Sequence, residues 1–454
     1  MAEPDDPLAS EVEPPKARGA STIAWMSSHG TSLALVGVLT TFLVLGMVIA
    51  IKTPAYESSD EPSHVQNIET LVSGHWYGMN SKCRLLDRFC SGDEPQQAPL
   101  YYLLFAGWQD IVGQPVQATY NGQTLQPAGG PTEIYKNHSP AALRFLLWLR
   151  IPNVVLGALT VLFTFLAVRL ISSDPWTPVV AASFVAFLPR FVFLSSFVTN
   201  DNLVDLLGAA LVYFAVRFIK APNLWRISVV GVVLGLLITT KLSTLPLALV
   251  IVALGCLVPG WKRRTQLVGA GGAAALIVSG WYLIQNTVRY GDPLARHATT
   301  QYLIQVAGLG TYFVPYKVGN IAYLIFIEVP NRIERSFWYQ SGWGQFSWTQ
   351  PVNILFWVVL AAALAGLIHR HLKREMLVTL GLIFLLSFAC VWAVAFQTSV
   401  YQARYAYVGL AAIAGLFALG VERWRLPVRF VLPTMGLIGT LVALQTDVLA
   451  IHWT

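Results

Sequence analysis

Two adjacent carboxylates, Asp60 and Glu61, lie in a polar segment about ten residues beyond the first long apolar run of the chain. A proline and then a histidine follow them. Carboxylates and imidazoles can take protons from a reacting group when they are held within hydrogen-bonding distance of it. The segment therefore predicts proton-transfer chemistry at a membrane surface. The alternative is ordinary helix initiation, in which acidic residues favour the positive end of the helix dipole.

The spacing of these residues predicts a short helix. Ser59 is a suitable N-cap, and Pro62 is tolerated in a first helical turn. His64 comes four residues after Asp60 and three after Glu61, so the three side chains are expected on one helical face. In that position His64 would support Asp60 by a hydrogen bond or contact a substrate.

Two cations stand beside apolar runs elsewhere in the chain. Arg404, followed by Tyr405, suits bidentate contacts to a phosphate, and Lys241 suits a phosphate as a point charge. Each has an alternative interpretation, since lysine can extend to lipid headgroups and arginine and tyrosine can anchor a span at the interface. Asn200 and Asp201 lie in another polar turn, where they are either site residues or simple helix caps.

The elements that must position these residues are transmembrane helices. The 454 residues are 55% hydrophobic and only 12% charged, whereas soluble proteins carry roughly 25% charged residues. The apolar runs do not alternate in polarity as β-barrel strands do. The sequence predicts an all-α polytopic membrane protein with about eleven spans. They are 31–51, 149–170, 178–196, 202–219, 226–241, 243–259, 265–285, 351–369, 376–396, 405–421 and 428–447.

Basic residues cluster in the loops on one side of this arrangement, which the positive-inside rule assigns to the cytoplasm. The segment 98–112 is then expected to be an interfacial helix on the outer leaflet. Two long external segments result, about 52–148 and 286–350, and all the candidate residues fall on the external side. Residues 1–28 are expected to form a disordered cytoplasmic tail, with 29–454 as one transmembrane domain.

The remaining composition restricts the function further. The formal charge is +7, but the basic residues lie between apolar runs, which disfavours nucleic-acid binding. Cys256 and Cys390 fall within apolar helices and are expected to be packing residues. Cys83 and Cys90 share an external loop, where they either form a disulfide or remain free thiols.

The chain resembles GT-C fold glycosyltransferases that use polyprenyl-phosphate sugars, and most closely the protein O-mannosyltransferase and aminoarabinose transferase superfamily. Five segments carry the resemblance in order along the chain. They are 60–64 (Asp-Glu-Pro-Ser-His), 97–102 (Gln-Ala-Pro-Leu-Tyr-Tyr), 149–152 (Leu-Arg-Ile-Pro), 240–241 (Thr-Lys) and 403–405 (Ala-Arg-Tyr). The first segment has one extra residue before its histidine, and in the second an alanine replaces the family's first proline.

The resemblance implies an inverting sugar transfer from a polyprenyl-phosphate donor to a protein, glycan or lipid acceptor. Asp60 would be the base, and Glu61 would orient the acceptor or stabilise charge on the sugar. Arg404 and Lys241 would hold the phosphate, with Arg289 as a further candidate. The tryptophans of the second long segment, at 338, 343 and 348, would then close over the donor or stack on sugar rings, or alternatively pack onto the membrane. The Asp-Glu spacing departs from the Asp-x-Asp metal pattern of oligosaccharyltransferases, so the motif does not support a divalent metal, although one remains open, and no other cofactor is implied.

Two other classes of function remain open from the sequence. A lipid or small-molecule transporter would place ionisable groups near the bilayer midplane, often in repeated halves. A non-catalytic scaffold would use the acidic pair only for helix capping. Membrane lipids are expected partners in every case, and the small size favours a bacterial plasma membrane.

Overall fold

The computed structural model describes residues 18–53, 55, 58, 60–74, 76, 78–79, 96–112, 140–305, 321–341, 346–369, 373–396 and 402–449. Within these ranges the chain is almost entirely helical. The α-helices are α1 (Arg18–Lys52), α2 (Glu61–Val72), α3 (Leu100–Val112), α4 (Pro140–Arg169), α5 (Thr177–Ala186), α6 (Pro189–Ser195), α7 (Asp201–Lys220), α8 (Leu224–Thr240), α9 (Leu249–Cys256), α10 (Trp261–Tyr290), α11 (Arg296–Gln305), α12 (Ile321–Tyr323), α13 (Val329–Ser336), α14 (Gln350–Ala365), α15 (Arg374–Ala395), α16 (Leu410–Val421), α17 (Leu426–Arg429) and α18 (Val431–Ala443).

Shorter helical segments of other types join or extend these helices. They are the 3-10 segments Leu242–Ala248, Gly366–His369 and Ala403–Gly409, and the π segments Leu324–Glu328 and Leu444–Leu449. The β structure of the described residues is one antiparallel pair, β1 (Gln340–Ser341) with β2 (Phe346–Ser347), in which Gln340 is opposite Ser347.

Eight helices of the described chain are long and apolar enough to cross a membrane. They are Gly30–Lys52, Arg144–Arg169, Asp201–Lys220, Trp261–Tyr290, Gln350–Ile368, Arg374–Ala395, Ala403–Val421 and Val431–Leu449. The other three predicted spans correspond to the bent pair α5–α6, to α8, and to the 3-10 segment that continues into α9. The prediction of an all-helical, multi-span membrane protein is confirmed, but the count of eleven is not, because these three are bent or short.

The bend between α5 and α6 has a local cause. The residue before a proline is disfavoured in the helical conformation, and Leu188, before Pro189, has an extended backbone with ψ 113°. The two helices consequently meet at 64°. Arg190 follows the break, and its backbone N–H donates to the carbonyl of Trp338 at 3.1 Å.

Two other interruptions fall beside candidate residues. Lys241 ends α8 in an extended conformation, with φ −160° and ψ 117°. The 3-10 segment after it contains Pro246, which has no N–H to donate to a regular helix. Likewise, Arg404 lies in the 3-10 segment Ala403–Gly409 that precedes α16.

The short helices α2 and α3, between α1 and α4, dock on the span α4. Val65 and Ile68 of α2 share one buried apolar cluster with Tyr102 of α3 and Leu149 of α4. This packing fixes the end of α2 that carries the acidic pair. The predicted tail over 1–28 falls mainly outside the described residues, although α1 begins at Arg18.

The helix α7 packs against the 3-10 segment Ala403–Gly409 without an intervening side chain. A Cβ added at Gly208 would overlap the carbonyl oxygen of Val408. Small residues permit such close backbone approach between membrane helices. The contact sets the distance between the start of α7 and Arg404.

We expect Gly208→Ala to destabilise the protein by about 1–3 kcal/mol, because the new methyl group forces the two backbones apart. The matched control is Gly381→Ala in α15, where an added Cβ meets no atom within 4 Å. Thermal unfolding of both purified variants in detergent checks the prediction. Equal unfolding temperatures for the two would contradict it.

Candidate functional site

Asp60 has a left-handed backbone conformation, with φ 66° and ψ −12°. This conformation costs an L-residue about 1–2 kcal/mol, and aspartate is one of the few residue types that adopt it readily. Helix α2 begins at the next residue, Glu61. The neighbouring carboxylates bind two different arginines, Asp60 binding Arg404 and Glu61 binding Arg150.

Glu61 is enclosed by Arg150 of α4, and both side chains are fully buried. Arg150 donates from Nε to Oε1 at 2.9 Å and from Nη2 to Oε2 at 2.7 Å. Oε1 also accepts from the backbone N–H of Val198 at 3.1 Å. The third guanidinium nitrogen donates to the carbonyls of Ala50 and Thr53, each at 2.8 Å. The pair therefore ties α2 to the end of α1, to α4 and to the turn before α7.

Asp60 stands at the end of an alternating series of four charges, here named the charged cluster: Asp60, Arg404, Asp201 and Lys241. Arg404 binds Asp60 through Nη2, and its Nε lies 3.4 Å from Oδ2 of Asp201. Oδ1 of Asp201 accepts from Nζ of Lys241. The side chain of Asp60 is 20% exposed, whereas the other three are 3–9% exposed. Asp60 is thus the most accessible member of the charged cluster.

Interrupted helices bring the cations of the charged cluster to the start of α7. Asn200 and Asp201 lie at this helix end, and Lys241 Nζ donates to Oδ1 of Asn200 at 3.3 Å. The ring of Tyr405 lies beside both cations, with its centroid 4.5 Å from Lys241 Nζ and 5.5 Å from Arg404 Cζ. Such cation–π contacts stabilise a desolvated cation.

The pKa of Asp60 reflects two opposing effects. Burial alone would raise this pKa, but the charge and hydrogen bond of Arg404 hold it below its usual value of 3.8. Asp60 is therefore ionised at neutral pH. In this resting arrangement it is a weak base, because protonation would cost it the Arg404 pairing.

Glu61 and His64 lie three residues apart within α2, whereas Asp60 precedes the helix in a left-handed conformation, so only two of the three predicted residues belong to the helix. Nδ1 of His64 lies 2.7 Å from the hydroxyl of Tyr102 on α3, and the two rings stack. The support of Asp60 by His64 stays a prediction. Burial lowers the pKa of His64 to about 4, so its imidazole is neutral at pH 7.

Arg289 is not one of the charged cluster and lines a shallow groove. Its guanidinium lies 5.8 Å from the centroid of the Trp76 ring. Amide and aromatic side chains line most of the rest of the groove, together with Met79, Pro99 and Ala295. One of the amides, Gln97, accepts a hydrogen bond from Asn200 at 2.9 Å, so the groove adjoins the charged cluster.

Comparison with known proteins gives the fold. Residues 146–283, less than a third of the chain, match the family model for dolichyl-phosphate-mannose-protein mannosyltransferase. No curated protein sequence matches significantly. Among solved structures, ArnT from Cupriavidus metallidurans, bound to undecaprenyl phosphate, aligns with a TM-score of 0.54 and 14% identity. The chain has the GT-C fold. The alignment covers 91% of this chain and 64% of ArnT, so this chain spans under two thirds of that protein.

Two further solved structures align with TM-scores of 0.43, too low to support an argument. The protein O-mannosyltransferase Pmt1-Pmt2 complex of S. cerevisiae, bound to the sugar donor, shares 18% identity, with 58% of this chain and 34% of that chain covered. The Archaeoglobus fulgidus oligosaccharyltransferase, in complex with Zn and sulfate, shares 15% identity, with 92% and 52% covered.

Three buried ionisable residues of this GT-C protein were not among the candidates from sequence. Arg150 entered only through the family resemblance, and Arg190 and Asp205 lie inside predicted spans. Both carboxylate oxygens of Asp205 are buried without a hydrogen-bond partner. The sequence does contain a signal for these residues, because ionisable residues within membrane spans are rare and usually functional.

Other expectations concern residues of the two long segments between predicted spans. Trp338 is fully buried in the core, and Trp348 packs on Tyr339, so neither is free to close over a ligand. Trp343, Cys83 and Cys90 lie outside the described residues. The described part of the chain holds no group of three or more His, Cys, Asp or Glu residues that could bind a metal ion.

Glu61→Gln should lower the free energy of unfolding by about 3–5 kcal/mol, because it leaves the buried Arg150 without a counter-ion. Replacing both partners by apolar residues, Glu61→Leu with Arg150→Met, should recover most of that loss. Chemical unfolding in detergent measures both variants. The control is Glu328→Gln, which breaks an exposed pair with Arg332 and should change stability by less than about 1 kcal/mol. The interpretation fails if Glu61→Gln behaves like the control.

Proposed function

We propose that this GT-C protein is a membrane glycosyltransferase that moves a sugar from a polyprenyl-phosphate donor to an acceptor hydroxyl. The observation that carries the proposal is the ion pair between Asp60 and Arg404. It joins an accessible proton acceptor to a cation suited to phosphate. The donor class is supported by the fold and by ArnT, which was solved with undecaprenyl phosphate bound.

In the proposed reaction Asp60 accepts the proton of the acceptor hydroxyl while that oxygen attacks the anomeric carbon. The bond from this carbon to the phosphate oxygen breaks, and its electron pair leaves with the polyprenyl phosphate. A single displacement of this kind inverts the anomeric configuration. Asp60 gains one proton and the phosphate gains one negative charge, so the step is balanced.

The Asp60–Arg404 pair couples these two changes. Before transfer, the negative charge of Asp60 offsets Arg404. As Asp60 becomes protonated it loses that charge, and Arg404 becomes available when negative charge develops on the leaving phosphate. Interactions that strengthen only as the transition state forms lower the barrier, whereas uniform binding does not.

Donor binding would also activate Asp60. In the structure Arg404 holds the pKa of this carboxyl below its usual value. A phosphate that competes for the guanidinium would weaken this stabilisation and raise the pKa of Asp60. The base would therefore become stronger only when its substrate is bound.

The other candidate residues receive distinct roles in this proposal. Glu61 acts as a positioning residue, since it holds the start of α2 through Arg150. Lys241 and Tyr405 keep Asp201 and Arg404 in place and complete the phosphate site. Asn200 connects that site to the groove beside Arg289, where the acceptor would enter. Neutral His64 would hold α2 against α3.

The charge distribution supports one side of the membrane for the site. Asp201 begins α7, and Arg217 and Lys220 end it roughly 30 Å away. At that second end Arg263, at the start of α10, donates to the carbonyl of Pro222 in the α7–α8 loop at 2.9 Å, so two basic loops adjoin one another. The positive-inside rule then favours an extracytoplasmic site, which in a bacterium faces outward from the plasma membrane.

Asp60→Asn should reduce sugar transfer by about 100-fold or more, because the amide cannot accept the acceptor proton. Asparagine tolerates the left-handed conformation of this position, so the fold should be retained. Asp110→Asn, at an exposed carboxylate on α3, is the matched control and should leave transfer unchanged. Purified protein with a polyprenyl-phosphate sugar and a hydroxyl acceptor provides the assay.

The results separate the classes of function. Full activity of Asp60→Asn would exclude this residue as the base. Movement of the lipid across the membrane by wild type, without cleavage of the sugar–phosphate bond, would indicate a transporter and overturn the proposal.

The decline of activity at acid pH should differ between kcat and kcat/KM. The profile of kcat/KM reports the free enzyme, in which the pKa of Asp60 is lowered, whereas that of kcat reports the donor complex. We therefore expect activity at donor saturation to fall at a higher pH than kcat/KM does. Because protonation of buried His64 also destabilises the fold below about pH 6.5, activity must be recoverable on return to neutral pH. Coincident acid limbs would contradict the activation of Asp60 by donor.

A further inference from the structure

The charged cluster is electrically balanced without substrate. Asp60 and Asp201 carry two negative charges, and Arg404 and Lys241 carry two positive ones. A phosphate entering this balanced set would meet two carboxylates as well as two cations. Bringing a further anion into a poorly solvated site without a counter-charge is costly. The proposed donor therefore needs positive charge beyond the charged cluster before transfer begins.

Arg190 is a buried cation with no carboxylate partner among the described residues. It is 2% exposed, and it follows the break between α5 and α6. Nη1 donates to Oε1 of Gln340 at 2.8 Å, and Nη2 donates to Oε1 of Gln402. Its Nε is buried without a hydrogen-bond partner. Two neutral amides thus bind the guanidinium of Arg190, and no carboxylate of the described residues pairs with its charge.

The position of Arg190 connects it to the charged cluster. Gln402, which accepts from its guanidinium, is only two residues before Arg404. Arg190 also lies within electrostatic range of Asp201, Arg404 and Tyr405. Asp201 already binds two other cations, so it does not serve as a dedicated counter-ion for Arg190.

We propose that Arg190 is the binding residue for the donor phosphate in the ground state. A sugar–polyprenyl phosphodiester carries one negative charge, which matches the one unpaired positive charge of Arg190. Nε offers a free donor, and the glutamine amides can be replaced by phosphate oxygens as hydrogen-bond acceptors. Arg404 shares the bound phosphate only in part, enough to weaken its hold on Asp60, and acts mainly on the charge that develops during transfer. This inference rests on the proposed function, since it specifies how the same site holds its donor.

The experiment compares two lipid probes, undecaprenyl phosphate and undecaprenol, that differ only in the phosphate. Their binding to the purified full chain is measured by native mass spectrometry in detergent. Arg190→Gln should weaken binding of the phosphate lipid by about tenfold or more, the loss of a charged hydrogen bond, and leave undecaprenol binding unchanged. Arg169→Gln removes an exposed arginine of α4 and should change neither.

A second variant tests the assignment even if Arg190→Gln proves unstable. Gln340→Glu is almost isosteric and gives Arg190 the carboxylate that it lacks, so the protein should fold at least as well. It should cause the same selective loss of phosphate binding. A purely structural role of Arg190 predicts the opposite result, because the added ion pair would leave lipid binding intact.

Each outcome decides one question. If wild type binds both lipids equally, the proposed function fails. If wild type prefers the phosphate lipid and both variants keep that preference, the assignment of Arg190 is overturned. An equal loss of both lipids in the two variants also overturns it, since the residue then only supports packing.

Discussion

The backbone conformation of one residue sets the geometry of the site. Because Asp60 is left-handed, two carboxylates that are neighbours in sequence bind arginines on different spans. One pair is fully buried and holds the elements together, whereas the other remains accessible at one end of the charged cluster. Glu61 therefore has a structural role and Asp60 a chemical one, and the difference comes from their surroundings.

The sequence predicts the helical membrane class and the residues near the site for clear physical reasons. Long apolar runs and one-sided basic loops dictate membrane helices, and charges beside such runs stand out. It does not predict which carboxylate is enclosed, because that depends on one dihedral angle and on Arg150, 89 residues away. Arg190 lies inside an apolar run and is not among the residues that the sequence predicts for the site. The span count failed where Pro189 and Lys241 interrupt helices.

The charged residues and the irregular backbone occupy the same places. Arg190 follows the break at Pro189, Lys241 ends α8, and Arg404 lies in a 3-10 segment. Within a membrane, non-helical backbone is tolerated only where protein or a water-filled cavity satisfies its polar groups. The protein groups that hydrogen-bond to the interrupted backbone also stabilise the charged side chains, so the helix breaks and the charged residues occur together.

The Asp60–Arg404 pair also has a consequence for biogenesis. Its partners are 344 residues apart in the chain. During synthesis, Arg404 becomes available as the counter-ion of Asp60 only after the segment beginning at Ala403 has been inserted. A nascent chain with most of its spans in place would still carry an unassembled site. Assembly of that site is therefore a late event in membrane insertion, and it distinguishes a completed bundle from a partial one.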